Sequence, residues 1–264
     1  MLKIILNADD FGKSPARNRA INELLIQGRI TSAGLIVTGK HLQEAADMIS
    51  AGGYPEKVHL HINLSTNQLQ EDSEDIPLTD AMRRDRFFCR DGKFSLYRGL
   101  PRRFKSIFKW KTVYHEIVAQ YEKFIEVTHG LGDNAHVDFH LWYNLTWPVS
   151  VALNLFTWKY HIKTVRYIGV HQQKQLRYRV YRAISWNPKV KCIPATNLDF
   201  FFSKRSLVEK TDMIELYCHP HYKGGILLDD SPSYLKHERQ PMENHLRIIR
   251  DIPDVEFIPW NVVR

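Results

Sequence analysis

The stretch Leu2-Lys3-Ile4-Ile5-Leu6-Asn7-Ala8-Asp9-Asp10-Phe11-Gly12 decides how the chain is read. Its short apolar run, residues 2–7, predicts a buried strand that ends in the polar cluster Asn7-Ala8-Asp9-Asp10. Ser14 followed by Pro15 is a helix-start signal, and Ala20, Ile21, Leu24 and Leu25 then recur at helical spacing as far as Gly28. Strand, loop and helix in that order make the first half of a βα unit.

The same alternation continues outward. Residues 34–37 predict a second strand, 41–50 a second helix closed by Gly52-Gly53, and 58–64 a third strand. Residues 112–128 place Val113, Ile117, Tyr121, Phe124 and Val127 on one helical face, with Gly130 as a stop, and a strand follows at 135–141. Helices near 147–160, 172–185 and 233–250 alternate with strands at 164–168, near Val190, and at 198–202, 214–218 and 255–259. Repeated βα units over 264 residues predict an α/β, single-domain β/α-barrel-like fold, TIM-like with room for distortion, spanning residues 1–264. Residues 65–111 are too long for an ordinary connection and read as a long basic insertion after the third strand.

Composition narrows the function classes. With 44% hydrophobic residues, 13 Gly and 12 Pro, the chain is neither disordered nor collagen-like. Three scattered cysteines, Cys89, Cys192 and Cys218, predict reduced thiols and a cytoplasmic setting. The first apolar run is too short for a signal peptide, and none approaches the about 20 residues of a membrane span. The net charge of +8 is unevenly spread. Residues 83–111 hold 11 basic and 2 acidic residues, and residues 139–198 hold 9 basic and none acidic. Two blocks of +9 leave an acidic scaffold of −10. Both blocks follow strands that end in candidate ligands, so both are expected on the site side. There they would recruit an anionic or lipid-linked substrate, with peripheral contact at an anionic inner membrane surface. Their segments Arg102–Lys111 and Leu176–Arg182 interleave cations with aromatics. No nucleic acid is expected as a partner.

Chemistry-bearing residues gather where strands end. Asp9 and Asp10 follow the first strand, His59 and His61 lie in the third, His136, Asp138 and His140 in the next, and His219 closes the strand ending at Cys218. Parallel α/β folds assemble their sites at that edge. Residues two apart share a strand face, so His59 pairs with His61, and His136 with Asp138 and His140. Adjacent Asp9 and Asp10 would point apart in an extended strand. One carboxylate and two imidazoles suit a divalent ion with open positions, and a second carboxylate suits a base for bound water. The same donor set fits a non-haem Fe(II) oxygenase. A non-catalytic glycan- or membrane-binding protein on a decayed scaffold is the other alternative.

In order along the chain, Asn7-Ala8-Asp9-Asp10-Phe11-Gly12, Asn18, Ile21, Gly28-Arg29-Ile30-Thr31-Ser32, Leu60-His61-Ile62-Asn63-Leu64, His136-Val137-Asp138-Phe139-His140 and His219-Pro220 resemble the motifs of YdjC-like (chito-oligosaccharide) deacetylases. The resemblance implies a β/α-barrel-like fold, often dimeric. It implies an enzyme that removes N-acetyl groups from amino-sugar saccharides with one divalent metal, usually assigned as Mg²⁺, with Zn²⁺ or another transition metal as the alternative. Position by position it makes Asp10, His61 and His140 the metal ligands, Asp9 the general base, His219 the acid at the leaving nitrogen, and Arg166 a group that orders Asp9 or neutralises the intermediate. Asn63 and Asp138 fall among substrate contacts, Asp138 with orientation of a ligand histidine as its other reading. The chain departs from the family where His140-Leu141-Trp142-Tyr143-Asn144 replaces a His-x-His-x-His run. Trp142 and Asn144 are therefore expected to reshape the sugar subsites.

Overall fold

The opening run forms β1 (Leu2–Phe11), in which alternate residues serve two different cores. Ile4, Leu6 and Ala8 pack outward with Ile21, Leu24 and Leu25 of α1 (Pro15–Ile26), whereas Ile5 packs with Ile193, Ile258, Trp260 and Val263. A strand buried on both faces in this way belongs inside a closed parallel sheet. The computed structural model describes residues 1–65, 75–95, 107–140, 147–169, 187, 189–203, 211–231 and 241–263.

β2 (Ser32–Leu35), β3 (Val58–Ile62), β6 (Asp133–Phe139), β7 (Thr164–Gly169), β8 (Lys191–Asn197) and β9 (Met213–Cys218) join β1 in sequence order, every pairing parallel, and β9 returns to β1 over Lys3–Ala8. The result is a seven-stranded closed barrel, as the βα alternation predicts. β1 and β2 pair only over Asn7–Phe11; below that, β12 (Val255–Phe257) fills the gap against Leu2, Lys3 and Ile4. Helices α1, α2 (Leu42–Gly52), α4 (Trp110–Val127), α5 (Trp147–Lys159) and α7 (Met242–Arg250) carry the chain between strands, and α1 begins as its sequence requires, with Ser14 Oγ accepting from Arg17 N at 3.4 Å.

The predicted strand at 198–202 is instead helix α6 (Leu198–Ser203). Its aromatic run Leu-Asp-Phe-Phe-Phe has strand propensity, but the Asn197 side chain accepts from Phe200 N at 2.8 Å and starts a helix there. Within the basic stretch after β3, the described residues include α3 (Asp80–Arg83) and the β4–β5 hairpin (Cys89–Arg90, Lys93–Phe94). Buried Glu116 of α4 anchors this stretch by accepting from Leu78 N, Thr79 N and Thr79 Oγ1 at 2.7–2.9 Å. The helix expected at 172–185, the Leu176–Arg182 segment, and Trp142 and Asn144 lie outside the described residues.

Candidate active site

Inside the barrel the side chains change character from floor to mouth. Ile5, Ile193, Ile258, Trp260 and Val263 close the floor. The Trp260 ring stacks on His136 at 3.4 Å between centroids, and His136 meets His59 edge-on at 4.4 Å. Above these imidazoles sits Arg166 of β7, ringed by three carboxylates. Its Nη1 and Nη2 donate to Asp9 Oδ2 and Oδ1, both at 2.6 Å, Nε donates to Glu215 Oε2 at 2.7 Å, and Nη2 is 2.7 Å from Asp138 Oδ2. All four residues are buried. One cation held against three carboxylates leaves the interior electronegative toward the mouth. Burial favours the neutral form of Asp9, but the Arg166 guanidinium, with His61, outweighs it and holds the carboxyl below the usual range. Burial, only partly countered by Arg166, pushes Glu215 up.

The mouth collects Asp10, His61 and His140, whose donor atoms lie within 4.8 Å of one another. Asp10 Oδ1 is 2.9 Å from His140 Nδ1 and 3.6 Å from His61 Nε2. The expectation that Asp9 and Asp10 point to opposite sides fails. Asp10 has φ +70°, and the β1–β2 register shifts between Ala8 and Phe11, so both carboxylates face the mouth. A left-handed non-glycine residue costs roughly 1–3 kcal/mol, and such strain concentrates at functional sites.

Whether these residues fit a divalent cation can be judged from their unspent bonding capacity. Both Asp10 oxygens and His61 Nε2 are buried without a directed hydrogen bond among the described residues. His61 Nδ1 is 2.6 Å from Asp138 Oδ1, a carboxylate–imidazole contact that turns Nε2 toward Asp10. Asp138, buried beneath His61 and paired with Arg166, thus orients an imidazole. Burial and the nearby Lys13 ammonium lower His140 to about 4, so its imidazole is neutral at pH 7. One carboxylate and one imidazole with unpartnered atoms, joined by His140 Nδ1, suit a divalent ion such as Zn²⁺, Mn²⁺ or Mg²⁺.

Gly34 of β2 makes room for this arrangement: a Cβ there would lie 3.0 Å from His61 Cβ and 3.1 Å from its Nδ1. Gly34→Ala is expected to push His61 off Asp138 and weaken cation affinity about 10- to 100-fold, measured by metal-binding titration. Unchanged affinity would show that the close approach is unimportant.

His219 stands at the opposite wall, its Nε2 3.8 Å from Asp9 Oδ2. The hairpin β10 (Pro220–Lys223) and β11 (Ile226–Asp229), which turns at Gly224 and Gly225 with φ +58° and +80°, fixes it. The returning strand brings Asp229 Oδ1 to His219 N at 2.8 Å and Ser231 Oγ to His219 Nδ1 at 3.0 Å; Ser231 Oγ in turn donates to Asp229 at 2.7 Å. Ser231 therefore accepts from Nδ1–H, and Nε2 is left to face Asp9. Asn63 is buried, with Nδ2 donating to Thr38 Oγ1 at 3.0 Å and Asp75 Oδ2 at 2.9 Å, while its Oδ1 accepts from Ser65 N at 3.2 Å. Its amide is thus used within the protein, tying the stretch after β3 to the rim.

Four site residues had been missed from sequence. Lys13 Nζ is 3.5 Å from His140 Nε2 and 3.8 Å from Asp10 Oδ2, and Arg17 Nη1 is 3.9 Å from the same oxygen. Asn7 Nδ2 donates to Asp9 Oδ1 at 2.8 Å. Glu215 completes the Arg166 cage. A signal for that pair existed: Arg166 and Glu215 are each the only charge in an otherwise apolar strand.

A parallel β/α barrel with carboxylates and imidazoles gathered at the C-terminal ends of its strands has the architecture in which barrel enzymes assemble their active sites. More narrowly, the chain belongs to the YdjC-like protein family, whose model matches residues 3–248. It is 26% identical to a protein named carbohydrate deacetylase from Vibrio cholerae serotype O1 (strain O395), over 97% of this chain and 91% of the relative. It is also 26% identical to carbohydrate deacetylase 2 of Listeria innocua, over 87% and 85%. A crystal structure from Enterococcus faecalis V583, provisionally described as a cellobiose-phosphate cleavage protein, shares the fold with a TM-score of 0.63 at 20% identity, covering 84% of this chain and 82% of that one. No helix among the described residues is long and apolar enough to cross a membrane.

Proposed function

We propose that this chain is a metal-dependent carbohydrate N-deacetylase that hydrolyses the acetamide of an N-acetylated amino-sugar saccharide at the barrel mouth. The observation that supports it most is the meeting of two separate devices. Asp10, His61 and His140 offer converging donor atoms, those of Asp10 and His61 unspent, and beside them Asp9 is fixed in direction by Arg166 and Asn7.

Asp10, His61 and His140 would hold one divalent ion. That ion would acidify a bound water and polarise the acetamide carbonyl, chemistry that a carboxylate as weakly basic as Asp9 requires. Asp9 takes the proton of the attacking water, and its two hydrogen bonds from Arg166 keep the carboxylate from rotating away. Arg166 acts through Asp9 and is a positioning residue. His219, with Nδ1–H held by Ser231, presents Nε2 to the site, takes up the proton that Asp9 removed from the water and delivers it to the departing nitrogen. Water thus supplies oxygen to acetate, and the saccharide leaves as the amine. Trp142 and Asn144, which follow His140 in sequence, are assigned to the sugar subsites.

The test combines metal analysis with acetate release from a panel of N-acetylglucosamine saccharides. His140→Ala is expected to lose both bound metal and activity. If His140→Ala retains stoichiometric metal, the ligand assignment is wrong; if the metal-loaded wild type releases acetate from no saccharide, the deacetylase reading is wrong.

A further inference from the structure

The second basic block of the sequence does not gather where it was expected. Of its nine cations, Arg166 is inside the barrel and Lys174, Arg177, Arg179 and Arg182 lie outside the described residues. The other four, Lys159, Lys163, Lys189 and Lys191, line one cavity of about 600 Å³ at the floor end of the barrel, opposite the candidate active site.

The cavity sits where α5 ends and β7 and β8 begin. Rigid backbone presents its cations. Lys163 N donates to Ala135 O and Lys191 N to Lys163 O, both at 2.8 Å, so two of the lysines rise from neighbouring barrel strands. Lys189 lies in the turn before β8, where its N donates to Asn187 Oδ1 at 3.1 Å and Val190 N closes on Asn187 O at 3.0 Å. His161, at φ +56°, turns the chain from α5 into β7 and joins the lining. Lys159 rests over the Tyr160 ring at 5.3 Å. Among the described residues no aspartate or glutamate lines the hollow, and Lys163, Lys189 and Lys191 have no carboxylate partner. Trp158, 68% exposed, forms part of the wall.

Lysines gathered at one concavity without a counter-charge among the described residues repel each other, and an anion entering there is attracted by all of them. The volume lies within the range of small-molecule sites. Lysine ammoniums bind phosphate as point charges, and an exposed indole offers a flat apolar face for whatever the phosphate is attached to.

We propose that the floor end of the barrel carries a second binding site, for a phosphoanion joined to a flat or apolar group. Lys163, Lys189 and Lys191 hold the phosphate and Trp158 packs against its substituent. The site is distinct from the barrel mouth and does not depend on the deacetylase reading. The phosphate has two possible sources, a soluble phosphorylated sugar or a phospholipid headgroup, and binding experiments separate them.

The full chain is titrated calorimetrically with inorganic pyrophosphate and with glucose 6-phosphate, and in parallel sedimented with phosphatidylglycerol vesicles. Binding in the first arm assigns a soluble ligand; binding to vesicles alone assigns a headgroup. In either arm the double variant Lys163→Gln/Lys191→Gln is expected to bind at least about tenfold more weakly. The single variant Lys189→Gln serves if the double variant does not fold. The control Lys40→Gln/Lys223→Gln, at exposed lysines away from the cavity, is expected to bind as wild type. Absence of binding in both arms, or equal losses in the cavity and control variants, overturns the proposal.

Discussion

Asp9→Asn is expected to lower the rate of acetate release by roughly 10²–10⁴-fold while leaving metal content unchanged. The substitution keeps the shape of the side chain but removes its capacity to take a proton. It also turns one of two acceptors facing Arg166 into a donor, so one of the two 2.6 Å hydrogen bonds is lost. Asp9 is not one of the Asp10, His61 and His140 donor set and is held instead by Arg166 and Asn7, which is why metal is expected to remain. In the wild type the Arg166 contact keeps Asp9 ionised below the ordinary carboxylate range. Protonation of Asp9 therefore does not limit activity near neutral pH. If Asp9→Asn retains full activity, another group is the base. If it loses metal in parallel with activity, Asp9 is a ligand.

The largest effect on stability is expected from Arg166→Met. Methionine approximates the length of the arginine stem but leaves Asp9, Asp138 and Glu215 buried without their shared cation. Breaking a buried ion pair by removing one partner costs about 3–5 kcal/mol. For a chain of this size that corresponds to a fall in Tm of roughly 5–10 °C, read by calorimetry. The sign of the pH dependence is a second readout. In the wild type, Asp9 and Asp138 are lowered on folding, so their contribution is present above the unfolded-state carboxylate pKa and is lost as pH falls through the folded one. Without Arg166 the buried carboxyls are raised instead, so the variant regains stability relative to wild type as pH falls and they protonate. A variant as stable as wild type at pH 7 would mean that the three carboxylates find other partners.

How much of this was legible in the sequence depended on range. β1, the start of α1 and the shared faces of His59 with His61 and of His136 with Asp138 are local, and a two-residue or 3.6-residue period reveals them. The turn at Asp10 was invisible because nothing in Asp-Asp distinguishes an extended pair from one with a left-handed second residue. The β10–β11 hairpin is absent from the sequence reading, and its consequence, the return of Asp229 and Ser231 onto His219, is tertiary. The Arg166–Glu215 pair joins residues 49 apart, and only barrel closure makes them neighbours. Of the basic blocks expected beside the site, the four described lysines of the second depart from that expectation for the same reason. A βα unit visits both ends of the barrel, so Lys159, Lys163, Lys189 and Lys191 fall at the floor although the strand before them ends at the mouth.

The wedge made by β12 also sets an order of events during synthesis. Leu2, Lys3 and Ile4 receive their partners on one edge only from Val255, Glu256 and Phe257, and Trp260, whose N donates to Ser32 Oγ at 3.1 Å, seals the floor afterwards. Contacts between such distant parts of a chain form late, because the intervening loop must first be closed. Until residues 255–263 have been made, the lower half of β1 has an open edge and Ile5 lacks the Ile258, Trp260 and Val263 side chains it packs with. β1 is therefore completed only after every other strand of the barrel has been synthesised.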